Sequence, residues 1–279
     1  MNRRQFIKLA TGAFAVLGSY SFAVERYWIQ VNTYRVPVPR LPDAFQGFRI
    51  VHLTDLHFGF LMPQKMIQKV IQKANEIPRD LIVCTGDYVR EYDAHSKVDK
   101  VWPLLSELHA PYGVHSVLGN HDHWSSFEQS LEWMTQTGQN LRHQSRIIQK
   151  SGEQFWLGGA GDFWEDELGI DTAFRDTPNE DCKIVLAHNP DSADQQYKTR
   201  IDLMLSGHTH GGQVRIPYFT KRILPVINKQ YSYGFIHGQK TNVFISRGIG
   251  WAVTPFRFNC PPEIAVLILD KENFNVEQA

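Results

Sequence analysis

Arg49-Ile50-Val51-His52-Leu53-Thr54-Asp55-Leu56-His57 is an apolar run of strand length that ends on a carboxylate and an imidazole two positions apart. The pattern recurs. Asp80 to Cys84 runs into Gly86-Asp87, and Val114 to Leu118 runs into Gly119-Asn120-His121-Asp122. Asp87 lies 32 residues after Asp55 and Asn120 lies 33 after Asp87, each about the length of one βαβ unit of roughly 30 residues or more. Helical patterns fill the intervals at Pro63 to Glu76 and Val98 to Leu108, and a third follows at Phe127 to Thr137. Strands alternating with helices predict an α/β protein with a largely buried sheet.

Phe155 to Gly158, Lys183 to Ala187 and Asp202 to Leu205 have the same strand length. The last two run into His188-Asn189 and Gly207-His208-Thr209-His210. Ligands in open α/β sheets bind at the carboxyl ends of strands, so the spacing brings five loops to one edge of the sheet. Those loops carry seven residues of metal-binding type: Asp55, His57, Asp87, Asn120, His188, His208 and His210. Carboxylate, imidazole and amide together suit divalent Mn, Fe or Zn. Seven candidates are too many for one tetrahedral site, and two metals sharing a bridge is the economical reading. After Gly212, Val214 to Ile216, Tyr233 to Ile236, Val243 to Ser246 and Ile264 to Leu269 read as strands of a second sheet packed on the first.

The ordered elements D-x-H, G-D, G-N-H-[DE], a lone His and G-H-x-H resemble the calcineurin-like metallophosphoesterase superfamily, and all five are present between residues 55 and 210. With the N-terminus, His188-Asn189-Pro190-Asp191 and Gly207 to Gln213, the chain looks like the exported bacterial phosphodiesterase branch, which includes a UDP-diacylglucosamine pyrophosphatase. The resemblance implies a layered α/β/β/α sandwich over residues 48–279, with ligands at the carboxyl ends of strands. It implies two divalent ions (Mn²⁺, Fe²⁺/³⁺ or Zn²⁺). One would be held by Asp55, His57, Asp87 and His210, the other by Asp87, Asn120, His188 and His208, with Asp87 bridging. Hydrolysis by a metal-bridging hydroxide would follow. His121 would stabilise the transition state or protonate the leaving group, and Asp122 would orient that imidazole.

Phosphoprotein phosphatases of the superfamily carry G-D-x-V-D-R-G, whereas Gly86-Asp87-Tyr88-Val89-Arg90-Glu91 lacks the D-R-G arginine that helps grip a monoester. A phosphodiester or pyrophosphate substrate, lipid-linked or nucleotide-linked, is therefore expected. The alternatives are a phosphomonoesterase or nucleotide hydrolase of the same fold, and a catalytically silent membrane-anchored metal-binding scaffold.

Asn2-Arg3-Arg4-Gln5-Phe6-Ile7-Lys8 ahead of the apolar stretch Leu9 to Val24 reads as a twin-arginine export signal over residues 1–24. Its apolar part falls short of the roughly 20 residues of a comfortable membrane span. Ser21-Phe22-Ala23 offers a small-x-small cleavage site; an uncleaved anchor is the alternative. The expected partners are thus the twin-arginine machinery and a membrane surface, with the protein periplasmic or on the outer face of the cytoplasmic membrane. Residues 25–47 read as a linker that becomes an entry strand, because the prolines of Val36 to Pro42 break any helix.

Basic and acidic residues balance at 29 each, which gives no electrostatic argument for nucleic acid. Cys84, Cys182 and Cys260 have neither CxxC spacing nor a disulfide pattern. No organic cofactor is indicated. Gly158-Gly159-Ala160-Gly161-Asp162 lacks the phosphate-loop lysine and reads as a structural turn. His52 reads as a core residue and His123 as a rim residue. Trp124, Phe163-Trp164 and Trp251 to Phe258 read either as walls of a lipid-accepting groove or as core.

Overall fold

Alternate residues of the deciding stretch face two different cores. Val51 and Leu53 join one apolar cluster, while Ile50 joins another. In the same way Ile82 and Cys84 part from Leu81 and Val83. A strand with both faces apolar must be covered on both sides, and the fold supplies both covers.

The computed structural model describes residues 1–271. In chain order its main elements are α1 (Arg3–Ala23), β1 (Gln30–Pro37), β2 (Arg49–Leu53), α2 (Gln64–Glu76), β3 (Leu81–Cys84), α3 (His95–Leu105), β4 (Val114–Ser116) and α4 (Asn120–Gln136). Then follow β5 (Ser145–Lys150), β6 (Glu153–Gly159), α5 (Ile170–Ala173), β7 (Lys183–Leu186), β8 (Leu203–Ser206), α6 (Thr220–Ile223), β9 (Gly234–Ile236), β10 (Asn242–Ile245) and β11 (Glu263–Asp270). Two sheets form, in the orders β1-β11-β2-β3-β4 and β5-β6-β7-β8-β10-β9. Ile67 and Val70 of α2 and Val98 and Trp102 of α3 cover one face of the first sheet. Between the sheets lie Ile50, Leu81, Leu157, Ile184, Leu205 and Leu267. Phe174, Tyr197, Leu224 and Tyr231 cover the outer face of the second. This is the layered α/β/β/α arrangement.

The division between the sheets departs from the sequence reading. The second sheet begins at β5, not after Gly212, so the five clusters come from two sheets that meet at one edge. β11 returns to the first sheet, parallel to β1 and antiparallel to β2. Nearly all its residues are buried, which a central strand accommodates and an edge strand does not. β10 pairs in parallel with β8. Val214 to Ile216 is no strand; Val214 makes a single bridge to Phe258. β5, half of the β5–β6 hairpin, was missed because its polar residues hide the alternation. The entry segment forms β1 through Pro37, and an edge strand tolerates that proline. α4 begins at Asn120 rather than Phe127, with a break at Ser126, so the Asn120-His121-Asp122 cluster forms a helix's first turn.

One buried ion pair joins the sheets close to that edge. The Glu263 carboxylate, at the start of β11, accepts from Nε and Nη2 of Arg247 at 3.0 and 2.8 Å and from Asn32 and Tyr34 of β1. Burial pushes the Glu263 carboxyl up, but the Arg247 guanidinium and these hydrogen bonds outweigh it and hold it below its ordinary 4.5. A carboxyl depressed in the folded state stabilises the fold above its unfolded pKa, and the contribution is lost as pH falls through the folded value. Glu263→Ala leaves Arg247 buried without its counter-charge and is expected to cost about 3–5 kcal/mol. Urea unfolding checks this, and the wild-type advantage should shrink as the pH drops below 4.5.

Candidate metal centre

The loops after β2 and β3 continue side by side past the strand ends. His57 N–H donates to the Asp87 carbonyl at 2.9 Å and Phe58 N–H to the Tyr88 carbonyl at 2.9 Å. Asp55, His57, Asp87, His208 and His210 all have positive φ, between 48° and 66°. Asp and His tolerate this left-handed region better than most residues, yet each such turn costs about 1–3 kcal/mol. Five in one place mark a functional site, because the tight turns aim alternate side chains at a common centre.

Close backbone approach makes the crowding possible. Gly86 has φ 93°, and a β-carbon there would run into the Gly119 backbone. One on Gly119 would run into the Asp87 carboxylate and the His188 ring. From the second sheet, the His208 N–H reaches back to both Asp55 carboxylate oxygens at 3.1 Å.

Donor atoms gather in two groups, Asp55 with His57 and His210, and Asp87 with His188 and His208, and a third set of His57, Asp87 and His121 joins them. Asp87 Oδ2 lies 3.4 Å from His57 Nε2 and 3.2 Å from His188 Nε2, so it stands between the groups. His57 Nε2 faces His210 Nε2 at 3.0 Å, and His208 Nδ1 faces His188 Nε2 at 3.2 Å. Facing ring nitrogens repel unless a proton or a cation lies between them. Their spacing suits neighbouring donors around one ion with bonds of about 2.1 Å. Asn120 Oδ1 is buried without a hydrogen-bond partner among the described residues, which is expected of an atom whose partner is an ion. The donor set fits two divalent ions, with the Asp87 carboxylate between the two groups.

Without metal, a proton takes up part of the charge. Burial pushes the His188 imidazole down, but the Asp87 carboxylate, with Asp55 and Asp162 beyond it, raises it to about 10. Asp87 is held well below the usual carboxylate range by His188, His121 and His57 despite its burial. Burial lowers His208 to about 3 and raises Asp55 to about 6.

Backbone carbonyls set the tautomers. The ring Nδ1 of His188 lies 2.7 Å from the Thr85 carbonyl, Nε2 of His208 3.0 Å from the Pro225 carbonyl, and Nδ1 of His121 2.7 Å from the Arg90 carbonyl. A carbonyl only accepts, so each of those nitrogens carries a hydrogen and the other ring nitrogen is the one turned toward the site. No residue type marks such carbonyls in a sequence. Arg257 was missed for a different reason, since an arginine in an aromatic stretch reads as a surface charge. Its fully buried guanidinium donates to the carbonyls of Arg247, Gly248, Gly250 and Cys260 beside His210.

Asp122 requires a correction. Its carboxylate accepts from the backbone N–H groups of Asp87, Tyr88 and Gly119 at 2.7, 2.8 and 2.9 Å, and the Arg90 carbonyl, not Asp122, holds the His121 ring. Burial and the neighbouring Asp87 push the Asp122 carboxyl up to about 7, against these donors. Asp122→Ala strands three buried amides at about 1–3 kcal/mol each. The expected outcome is a lower urea midpoint with metal affinity weakened about 10–100-fold. Unchanged stability with impaired leaving-group protonation would instead restore the orienting role.

Above the donors opens a groove of about 840 Å³, lined by Arg90, His121, Trp124, Trp164, Leu224 and Val253 among others. The Trp124 ring meets His121 edge-on at 4.6 Å and Trp164 meets His208 at 4.5 Å. The Trp124 indole N–H donates to Glu165, and Asp162 accepts from the Trp164 and Glu165 amides, holding that loop. Trp251, in contrast, is core, packed edge-on to Tyr27. His52 is buried against Thr85, and burial lowers it to about 3. His123 stacks on Phe127 away from the donors.

The profile of the calcineurin-like phosphoesterase family matches residues 48–212. The chain is 32% identical to "Uncharacterized metallophosphoesterase YkuE" of Bacillus subtilis, over 98% of this chain and 99% of that protein. It is 30% identical to "Phosphodiesterase YaeI" of Escherichia coli over 96% and 99% of the two chains. It is 25% identical to "UDP-2,3-diacylglucosamine pyrophosphatase LpxG" of Chlamydia muridarum over 82% and 86%.

Proposed function

The chain belongs to the calcineurin-like phosphoesterase family, and on that premise we propose that it hydrolyses a phosphodiester or pyrophosphate carrying an apolar group, outside the cytoplasmic membrane. The observation that carries this reading is Asp87 standing between two groups of facing imidazoles, beneath an apolar groove. Asp55, His57, Asp87 and His210 would hold one ion and Asp87, Asn120, His188 and His208 the other. When bound, the pair supplies Lewis acidity toward phosphoryl oxygens and lowers the pKa of water.

The chain's own residues do the rest. His121 has Nδ1 tied to the Arg90 carbonyl, so Nε2 is the ring atom that exchanges protons with the groove: it takes one from solvent, giving the imidazolium, and passes it to the leaving oxygen. Asp122 keeps the Asp87 and Gly119 loops in register. Arg90 lines the groove with its guanidinium 3.2 Å from the Val253 carbonyl, a wall residue rather than a clamp on a monoester dianion. Trp124, Trp164 and Val253 exclude water around the ester's apolar arm. The similarity to a UDP-diacylglucosamine pyrophosphatase supports a lipid-linked substrate, and the paired arginines Arg3 and Arg4 at the start of α1 support export by the twin-arginine route.

The test compares an aryl phosphodiester with the matching monoester on purified full chain supplied with Mn²⁺. The expected preference for the diester is at least about tenfold in kcat/KM, or about 1.4 kcal/mol of transition-state binding. Faster turnover of the monoester would replace this reading with a phosphomonoesterase.

A further inference from the structure

The zero net charge conceals a segregation. From Leu203 to Pro262 the sequence holds no acidic residue, and Arg215, Lys221, Arg222 and Lys229 lie close together in it. The same segment exposes large apolar side chains: Tyr218 is 92% exposed, Ile227 75%, Ile223 70% and Phe219 62%. Asp191 and Asp194, which adjoin the segment in space, are taken up by Ile227, Asn228 and Tyr231. Exposed apolar residues interleaved with cations, in a segment that carries no acid of its own, suit an anionic phospholipid surface.

Two sets of contacts locate this face. The first leads to α1. The Ser21 carbonyl accepts from Arg257 N–H at 3.3 Å, the Glu25 carboxylate from Cys260 N–H at 2.6 Å, and Arg26 donates to the Pro255 carbonyl at 2.8 Å. Tyr20 and Trp28 share a surface pocket with Arg215, Ile216 and Pro217. The second set leads to the site. Ile223, Leu224 and Pro225 line the groove with Val253, which is 86% exposed, and the Pro225 carbonyl holds the His208 ring. One surface thus runs from the base of α1 to the mouth of the groove.

α1 itself is long and apolar enough to cross a membrane and is hardly buried. Its 21 residues rise about 31 Å at 1.5 Å each, close to the roughly 30 Å of a bilayer's hydrocarbon core. The apolar stretch is longer than Leu9 to Val24 because Phe6 and Ile7 extend it. Arg3, Arg4 and Lys8 lie at the end away from the folded domain and the helix has no acid, which places the domain on the non-cytoplasmic side.

We propose that α1 stays attached as a bilayer-crossing anchor and that the face formed by residues 215–227 and Val253 rests on the outer leaflet of the same membrane, so that the groove receives its diester from the lipid phase. A helix pinned in the domain at Ser21, Glu25 and Arg26 places the bilayer surface at its base, and Tyr20 and Trp28 take the interfacial positions usual for Tyr and Trp. The occupant is a phospholipid leaflet. This deepens the proposed function and rests on it for the substrate.

The test uses full chain in vesicles of phosphatidylethanolamine and phosphatidylglycerol. The native cysteines among the described residues are all buried, so Tyr218→Cys accepts an environment-sensitive fluorophore selectively, with Glu76→Cys as the control. The probe at position 218 should shift to the blue and be quenched by lipids brominated on the acyl chain, while the control stays in water. In parallel, the variant Y218D/F219D/I227D should keep its turnover of soluble bis-p-nitrophenyl phosphate. It should lose about tenfold on an alkyl p-nitrophenyl phosphodiester embedded in the vesicles, the equivalent of about 1.4 kcal/mol. A probe at 218 that matches the control overturns the proposal. So does full activity of the triple variant on the embedded ester, or a blue shift that needs protein concentration rather than lipid, which would assign the face to a second copy. If the wild type hydrolyses neither ester but the probe inserts, the proposed reaction fails and the membrane face stands.

Discussion

Asp87→Asn is expected to lower turnover of an aryl phosphodiester by about 10³-fold or more, since even outer partners of metal ligands are worth about 10–100-fold. The side chain keeps its size and can still accept the 2.9 Å hydrogen bond from His121 N–H through Oδ1, so the fold should survive. What is lost is the charge. Asp87 Oδ2 sits within 3.4 Å of one imidazole and 3.2 Å of the other, and a neutral amide there cannot offset the repulsion of two cations. The metal content of the purified variant should fall below that of the wild type, and its circular dichroism should be unchanged. Full activity would remove Asp87 from the centre of the site.

The second large effect is expected at His121. General acid catalysis contributes about 10²–10⁴-fold, and the loss depends on the leaving group. His121→Gln should cost most with an alkyl leaving group, which needs the proton, and least with p-nitrophenolate, which departs without it. The metal content should stay near that of the wild type; loss of an ion would instead make His121 a ligand, since its ring nitrogen lies within 4.8 Å of the donor atoms of His57 and Asp87. An equal loss for both leaving groups would assign His121 to charge stabilisation alone.

These predictions rest on residues that sequence reasoning could single out. Asp55, His57, Asp87, Asn120, His188, His208 and His210 are legible because each follows an apolar run, and strand ends are where an α/β fold exposes its loops. The structure brings the donor atoms of the six His and Asp residues together from two sheets, and Asn120 lines the same groove. The sheet division was not legible. β11 and β10 look alike as short apolar runs, and only pairing places one beside β2 and the other beside β8. The carbonyls of Thr85, Arg90 and Pro225 were equally invisible, since a backbone oxygen has no residue type. Trp251 and Trp164 show the same limit in side chains. Composition marks both as aromatic, but only packing sends one into the core and leaves the other at the groove. Asp122 was singled out for its position beside His121, whereas a helix's first turn aims its carboxylate at backbone amides instead.

The most direct measurement is calorimetric titration of metal-free protein with Mn²⁺, following aryl phosphodiester hydrolysis on the same samples. Two ions should bind per chain, with diesterase activity absent without metal and recovering fully only as the second ion binds. Saturation at one ion with full activity, or hydrolysis that persists through chelation, would contradict the two-ion centre.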